Sequence, residues 1–164
     1  MNYHNITHDD MLNGEGLRVV LWVAGCDHHC EGCQNPVTWN PDDGIVFDAN
    51  AKDEIFKELE KEHVAGITFS GGDPMHPKNK EMICSLCKEI KDKFPNKTVW
   101  IYTGYSWEDV MQEEVMQFTD VLVDGKFIQE LEDKTFHWAG STNQKVIDVQ
   151  KTLKEGKVIL HDGH

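Results

Sequence analysis

Cys26, Cys30 and Cys33 stand in the stretch Gly25-Cys26-Asp27-His28-His29-Cys30-Glu31-Gly32-Cys33, directly after the apolar run Val19 to Ala24. Three thiolates at C-x3-C-x2-C spacing suit one inorganic centre. In a four-iron cluster held by three cysteines, one iron stays open to a small molecule, which points to catalysis rather than electron storage. Two other chemistries fit the same residues: zinc with His28 or His29 as a fourth ligand, and a set of redox-active thiols. On a continuous helix the first and last of these cysteines would lie roughly 10 Å apart along the axis. A loop turned at Gly25 and Gly32 gathers the sulfurs better. A second zinc pair would have to be Cys84 and Cys87, but these fall in a helical pattern, where Cys87 belongs to the apolar face and reads as a small buried hydrophobe. His28 and His29 read most simply as solvated loop residues.

A second candidate is the run Thr68-Phe69-Ser70-Gly71-Gly72-Asp73-Pro74. Two glycines after a strand let the backbone turn sharply and come close to a ligand. With the Asp73 carboxylate, such a turn suits an amino group or a small zwitterion. By itself it reads first as a plain strand-to-helix turn; beside an upstream C-x3-C-x2-C it is read as a site. Tyr102-Thr103-Gly104-Tyr105 and Val123-Asp124-Gly125-Lys126 end two further strands and could place polar groups over the same rim.

The elements that must position these residues follow from the periodicity. Val19–Ala24, Gly66–Ser70, Thr98–Thr103, Asp120–Asp124, Lys145–Val149 and Lys157–Leu160 are short Val- and Ile-rich runs that predict buried strands. Ala51–His63, Asn79–Phe94 and Trp107–Phe118 repeat apolar residues at helical spacing, the last starting at a capping box, Ser106-x-x-Asp109. Strand alternating with helix predicts an α/β fold with a mostly parallel sheet. A complete eight-fold barrel needs about 250 residues, so 164 residues predict a partial, open parallel β/α barrel of five to six strands in a single domain spanning residues 1–164. Parallel α/β folds keep their chemistry at the carboxyl ends of strands, where both the cysteine loop and the Gly71-Gly72 turn fall.

Composition narrows the function. A net charge of −13 lacks the basic footprint that nucleic acid needs. The excess acid lies in residues 1–125, because from Lys126 onward six Lys balance six Asp or Glu. An acidic protein partner would therefore dock near the lysines of the C-terminal third, such as Lys151 and Lys154. No apolar run approaches the roughly 20 residues of a membrane span, and the N-terminus shows no basic-then-apolar leader. Five cysteines in short-spaced groups fit a reducing, cytoplasmic setting and a metal role better than a disulfide framework.

Taken together, the Cys26, Cys30, Cys33 loop and Ser70-Gly71-Gly72-Asp73-Pro74 resemble the radical S-adenosylmethionine superfamily. Gln34-Asn35-Pro36 after the loop, Trp100 to Tyr105, Val123 to Phe127 and Gly140-Ser141-Thr142-Asn143-Gln144-Lys145-Val146-Ile147-Asp148 are similar to the activating-protein family of anaerobic ribonucleoside-triphosphate reductase. The resemblance implies a [4Fe-4S] cluster on Cys26, Cys30 and Cys33, with the amino and carboxylate groups of S-adenosylmethionine on the fourth iron. It implies that Gly71, Gly72 and Asp73 orient the amino group. Gly32 stands where an aromatic residue often precedes the third cysteine, which leaves adenine to the backbone of Gly32, Cys33 and Gln34. Lys145 stands where arginine is common and keeps the charge without the fork geometry. The implied reaction is reductive cleavage to a 5′-deoxyadenosyl radical that takes hydrogen from a glycine of the large reductase subunit, fed by flavodoxin or ferredoxin. No side-chain acid or base is required, so no catalytic side chain is assigned.

Overall fold

A computed structural model describes residues 1–26, 28 and 40–161. In it the apolar runs become the middle of a seven-stranded sheet. The strands are β1 (Asn2–Asp10), β2 (Leu17–Val23), β3 (Ile45–Val46), β4 (Val64–Gly71), β5 (Thr98–Tyr102), β6 (Val121–Asp124) and β7 (Lys145–Asp148). The helices are α1 (Ala49–Leu59), α2 (Lys80–Lys93), α3 (Trp107–Val110) and α4 (Val149–Glu155). The sheet order is β3-β1-β2-β4-β5-β6-β7. The four central strands, β2, β4, β5 and β6, run parallel. The flanks are antiparallel: β1 on β2, β3 on β1 and β7 on β6.

Alternation along the strands gives the sheet two faces. Val19, Leu21, Val23, Ile67, Phe69, Val99, Ile101, Leu122 and Ile147 share one core with Ile55 and Leu59 of α1 and Ile83, Leu86, Cys87 and Ile90 of α2. The opposite face carries Arg18, Thr68, Trp100, Val121, Val123 and Val146, with Trp138 and Ala139 packed on it from the C-terminal crossing. Arg18 is fully buried there. Its Nε donates to Thr68 Oγ1 (2.9 Å), Nη1 to the Glu15 carbonyl and Thr98 Oγ1, and Nη2 to the Ile67 and Thr98 carbonyls. The guanidinium also lies 5.5 Å from the Trp100 ring. All its donors are satisfied without a carboxylate, and burial lowers its pKa to about 10.

The architecture is mixed α/β, as expected, but it departs from the sequence reading in three places. Among the described residues the strands number seven rather than five or six, because β1 is polar, mostly half-buried and carries no apolar run, and β3 is only two residues, Ile45 and Val46, both exposed. Such antiparallel flanks need only one covered face. Residues 157–160, which follow the left-handed Gly156 that ends α4 (φ 73°), form no strand; Leu160 alone makes an isolated bridge, to Ile147. The helix expected over Trp107–Phe118 is two pieces, α3 and a 3-10 segment at Glu114–Phe118, separated by extended backbone at Glu113. At the start of α3 the Asp109 carboxylate accepts from Ser106 N (3.4 Å), as the capping pattern predicts, and also from Ser106 Oγ (3.0 Å).

Candidate functional site

The carboxyl ends of β2, β4, β5 and β6 open on one cleft of about 690 Å³, inside the roughly 300–1,000 Å³ range of small-molecule sites. Cys26 and His28 line it from the loop after β2, and Ser70, Gly71, Gly72 and Asp73 from the turn after β4. Tyr102, Thr103 and Gly104 end β5, Gly125 follows β6, and Phe127, Phe136, Trp138 and Gln144 close the cleft from the C-terminal crossing. Cys26 and His28 of the cysteine loop and the glycine turn, 45 residues apart between Cys26 and Gly71, are thus brought to one rim. Cys30, Gly32, Cys33, Gln34 and His29 lie outside the described residues.

Close approach of β2 and β4 requires glycine at position 71. Its φ is +100°, and a Cβ there would stand 2.7 Å from the Val23 nitrogen and 2.8 Å from the Val23 oxygen. The turn then straps the start of the cysteine loop. Gly72 N donates to the Val23 carbonyl (2.8 Å) and Asp73 N to the Gly25 carbonyl (2.7 Å). Asn79 Nδ2 donates to the Ala24 carbonyl (2.8 Å) and the Asp73 carbonyl (3.1 Å). Asn79 is at the N-cap of α2 yet makes no capping bond with its side chain, which is turned to the loop instead. Sequence reasoning missed this residue: N-x-x-x before an apolar pattern signals only a helix start.

Asp73 is 1% exposed, and its carboxylate serves the protein itself. Oδ1 accepts from Met75 N (2.9 Å) and Thr103 Oγ1 (2.8 Å). Oδ2 accepts from Gly104 N (3.0 Å) and His28 Nε2 (2.6 Å). Four donors fill the four lone-pair positions a carboxylate offers. Gly71 and Gly72, by contrast, line the cleft as bare backbone. His28, expected to be solvated, is instead 7% exposed in its side chain.

Two glycine-bearing segments complete the rim. Asp124 is buried at the end of β6 and accepts from Trp107 N (2.8 Å) and Lys145 N (3.0 Å), with Lys145 Nζ 3.8 Å away. Gln144 Nε2 donates to the Gly125 carbonyl (2.9 Å) and Asn143 Nδ2 to the Lys126 carbonyl (2.8 Å). Gln144 Oε1 accepts from Gly140 N and Ser141 N. The Gly-Ser-Thr-Asn-Gln stretch is therefore a clasp that holds the crossing segment over the sheet.

The lining also contains an orphan. Tyr102 Oη is buried and has no hydrogen-bond partner among the described residues. Burial pushes its pKa up, opposed by the Arg18 charge. An unpartnered hydroxyl beside side-chain-free Gly71, Gly72, Gly104 and Gly125 fits a ligand that brings its own polar groups, as S-adenosylmethionine would. Cys84 and Cys87 do not reach this cleft. Both lie in α2, and burial raises the pKa of each, the reverse of what a ligand thiolate needs.

Cys26, the first of the three closely spaced cysteines, and the glycine turn share one rim at the carboxyl ends of the parallel strands, an arrangement that agrees with the class of iron–sulfur domain proteins. The family model described as "4Fe-4S single cluster domain" matches residues 12–147. Relatives extend along nearly the whole chain. The "Anaerobic ribonucleoside-triphosphate reductase-activating protein" of Enterobacteria phage T4 is 44% identical over 146 residues, covering 89% of this chain and 93% of the relative. Proteins of the same name from Haemophilus influenzae and Escherichia coli (strain K12) are 40% and 41% identical, covering 88% and 89% of this chain and 96% and 97% of the relatives. The chain belongs to the family of anaerobic ribonucleoside-triphosphate reductase-activating proteins.

Proposed function

We propose that this protein is an iron–sulfur activase that cleaves S-adenosylmethionine and generates the glycyl radical of anaerobic ribonucleoside-triphosphate reductase. The observation that carries the reading is the convergence of Cys26, the Gly71-Gly72 turn and the unpartnered Tyr102 hydroxyl on one cleft, in a chain of this family. Cys26, Cys30 and Cys33 would hold the [4Fe-4S] cluster. Gly71 and Gly72 would offer backbone to the amino group of S-adenosylmethionine, and Gly32, Cys33 and Gln34 backbone to its adenine. Asp73 would act by holding the rim in shape, since its carboxylate is already engaged. When bound, the cluster and S-adenosylmethionine supply the electron and the 5′-deoxyadenosyl radical that takes hydrogen from the target glycine. The chain's own task is orientation and exclusion of water.

The parallel strands β2, β4, β5 and β6, with their chemistry at one end, are what a partial, open β/α barrel of the radical S-adenosylmethionine type would provide. The whole chain, residues 1–164, would work as one domain. An open rim suits a substrate that is a loop of a large partner. Among the described residues no helix is long and apolar enough to cross a membrane. The five short-spaced cysteines, suited to a reducing compartment, are the ground on which we place the protein in the cytoplasm. The donor, a flavodoxin or ferredoxin, would dock at the cleft mouth, where Lys134 lines the cleft and Lys126 is exposed beside Gly125. Lys151 and Lys154 belong to α4, which starts at Asp148, paired with Val121 at the sheet end away from the rim.

Anaerobic reconstitution tests the reading. The expected product is a brown protein with four irons per chain that yields 5′-deoxyadenosine from S-adenosylmethionine and dithionite. A colourless protein holding one zinc and leaving the cofactor intact would overturn it.

A further inference from the structure

We propose that His28 is a positioning residue that latches the cysteine loop onto a seat built from Asp73, Gly104 and Tyr105. His28 lies midway between Cys26 and Cys30, so whatever fixes its ring fixes the loop that carries both. Its Nε2 is 2.6 Å from Asp73 Oδ2, with side-chain exposures of 7% and 2%. A carboxylate oxygen only accepts, so Nε2 carries the proton. The ring meets Tyr105 edge-on, with centroids 4.7 Å apart and planes at 76°.

Gly104 shows that the seat is shaped for this ring. Its φ is not among the positive ones, so its backbone does not need glycine. A Cβ there would collide with the imidazole, 2.7 Å from Nε2 and 2.8 Å from Cγ. The missing side chain makes room for His28. Asp73 also accepts from Thr103 Oγ1 and Gly104 N, so one carboxylate ties the cysteine loop to the ends of both β4 and β5. Without His28, Oδ2 would be left buried with the Gly104 amide as its remaining donor, an unfavourable state for a charged oxygen.

The latch rests on the cluster reading of the loop for its purpose but not for its geometry, and two measurements separate the two. In the iron-free full-length protein, the His28 Nε2 proton should give a slowly exchanging, downfield NMR resonance that Asp73→Asn shifts or abolishes. Absence of that resonance would overturn the latch whatever the metal. In the reconstituted protein, iron loss to a ferrous chelator should be roughly 10- to 100-fold faster in His28→Ala and in Gly104→Ala, the factor for losing a charge-assisted hydrogen bond. His28→Gln, which keeps an N–H donor, should recover part of the loss. Gly104→Ala should add less than about twofold on top of His28→Ala, because the ring it displaces is gone. Iron loss at the wild-type rate in His28→Ala, or an effect of Gly104→Ala that is the same with and without His28, would overturn the proposal.

Discussion

Tyr102→Phe separates the needs of the empty fold from those of the loaded site. Among the described residues Tyr102 Oη is buried without a partner, while the nearby Arg18 donors are all engaged by Thr68, Thr98, Ile67 and Glu15. A buried unsatisfied hydroxyl costs about 1–3 kcal/mol. Removing it while keeping the ring should stabilise the iron-free protein by about 1 kcal/mol. For a domain of this size that raises Tm by about 2–4 °C. The reconstituted protein should respond in the opposite direction. If the hydroxyl meets a polar group of S-adenosylmethionine, its loss removes one hydrogen bond of about 1 kcal/mol and weakens binding about fivefold. Calorimetry of the iron-free variant and anaerobic titration of the reconstituted one read the two signs separately. A lower Tm would mean that the hydroxyl already has a partner in the fold, and unchanged affinity would remove Tyr102 from the ligand site.

Three further outcomes follow from the same geometry. Arg18→Met strands the Ile67, Thr98 and Glu15 carbonyls; it should cost about 3 kcal/mol or more, seen as a fall in Tm of roughly 6–12 °C, and Arg18→Lys should not rescue it because an ammonium supplies three donors where five are used. Burial raises the Cys87 thiol above its ordinary 9.0, so the folded state keeps a proton that the unfolded chain gives up; that stability is present below pH 9 and is lost as pH rises beyond it, by at most about 1.4 kcal/mol per pH unit. Urea melts between pH 8 and 10 should show a shallower fall in Cys87→Ala than in wild type, and parallel curves would contradict this. Reversing Lys126 and Lys134 should slow cluster reduction by an acidic flavodoxin several-fold at low salt, whereas reversing Lys151, 72% exposed on α4, and Lys154 should not; equal effects would move the donor away from the cleft mouth.

How much of this was legible in the sequence depends on how local each signal was. The central strands and the two long helices announced themselves because they are buried on one face or both, and burial writes a period into the residues. β1 did not, because a flanking antiparallel strand is held by backbone ladders that accept nearly any side chain. Gly71 was legible since only glycine tolerates a φ of +100° against Val23. The roles of His28 and Asn79 were not, because each depends on partners brought together by strand order alone. His28 meets Asp73 45 residues away, and Asn79 reaches back 55 residues to Ala24. The Asp73 carboxylate looked like a ligand for an amino group because its type and position suit one; the Thr103, Gly104, Met75 and His28 donors that fill it belong to three separate segments.

The central claim is tested most directly by electron paramagnetic resonance on a mixture of this reconstituted protein, S-adenosylmethionine, a reductant and the large subunit of anaerobic ribonucleoside-triphosphate reductase. The account predicts a glycyl-radical signal on the large subunit that is lost when Cys26 is replaced by alanine. A four-iron protein that cleaves S-adenosylmethionine yet leaves the reductase without a radical would contradict the assignment of its target, and a protein that takes up no cluster would contradict the account as a whole.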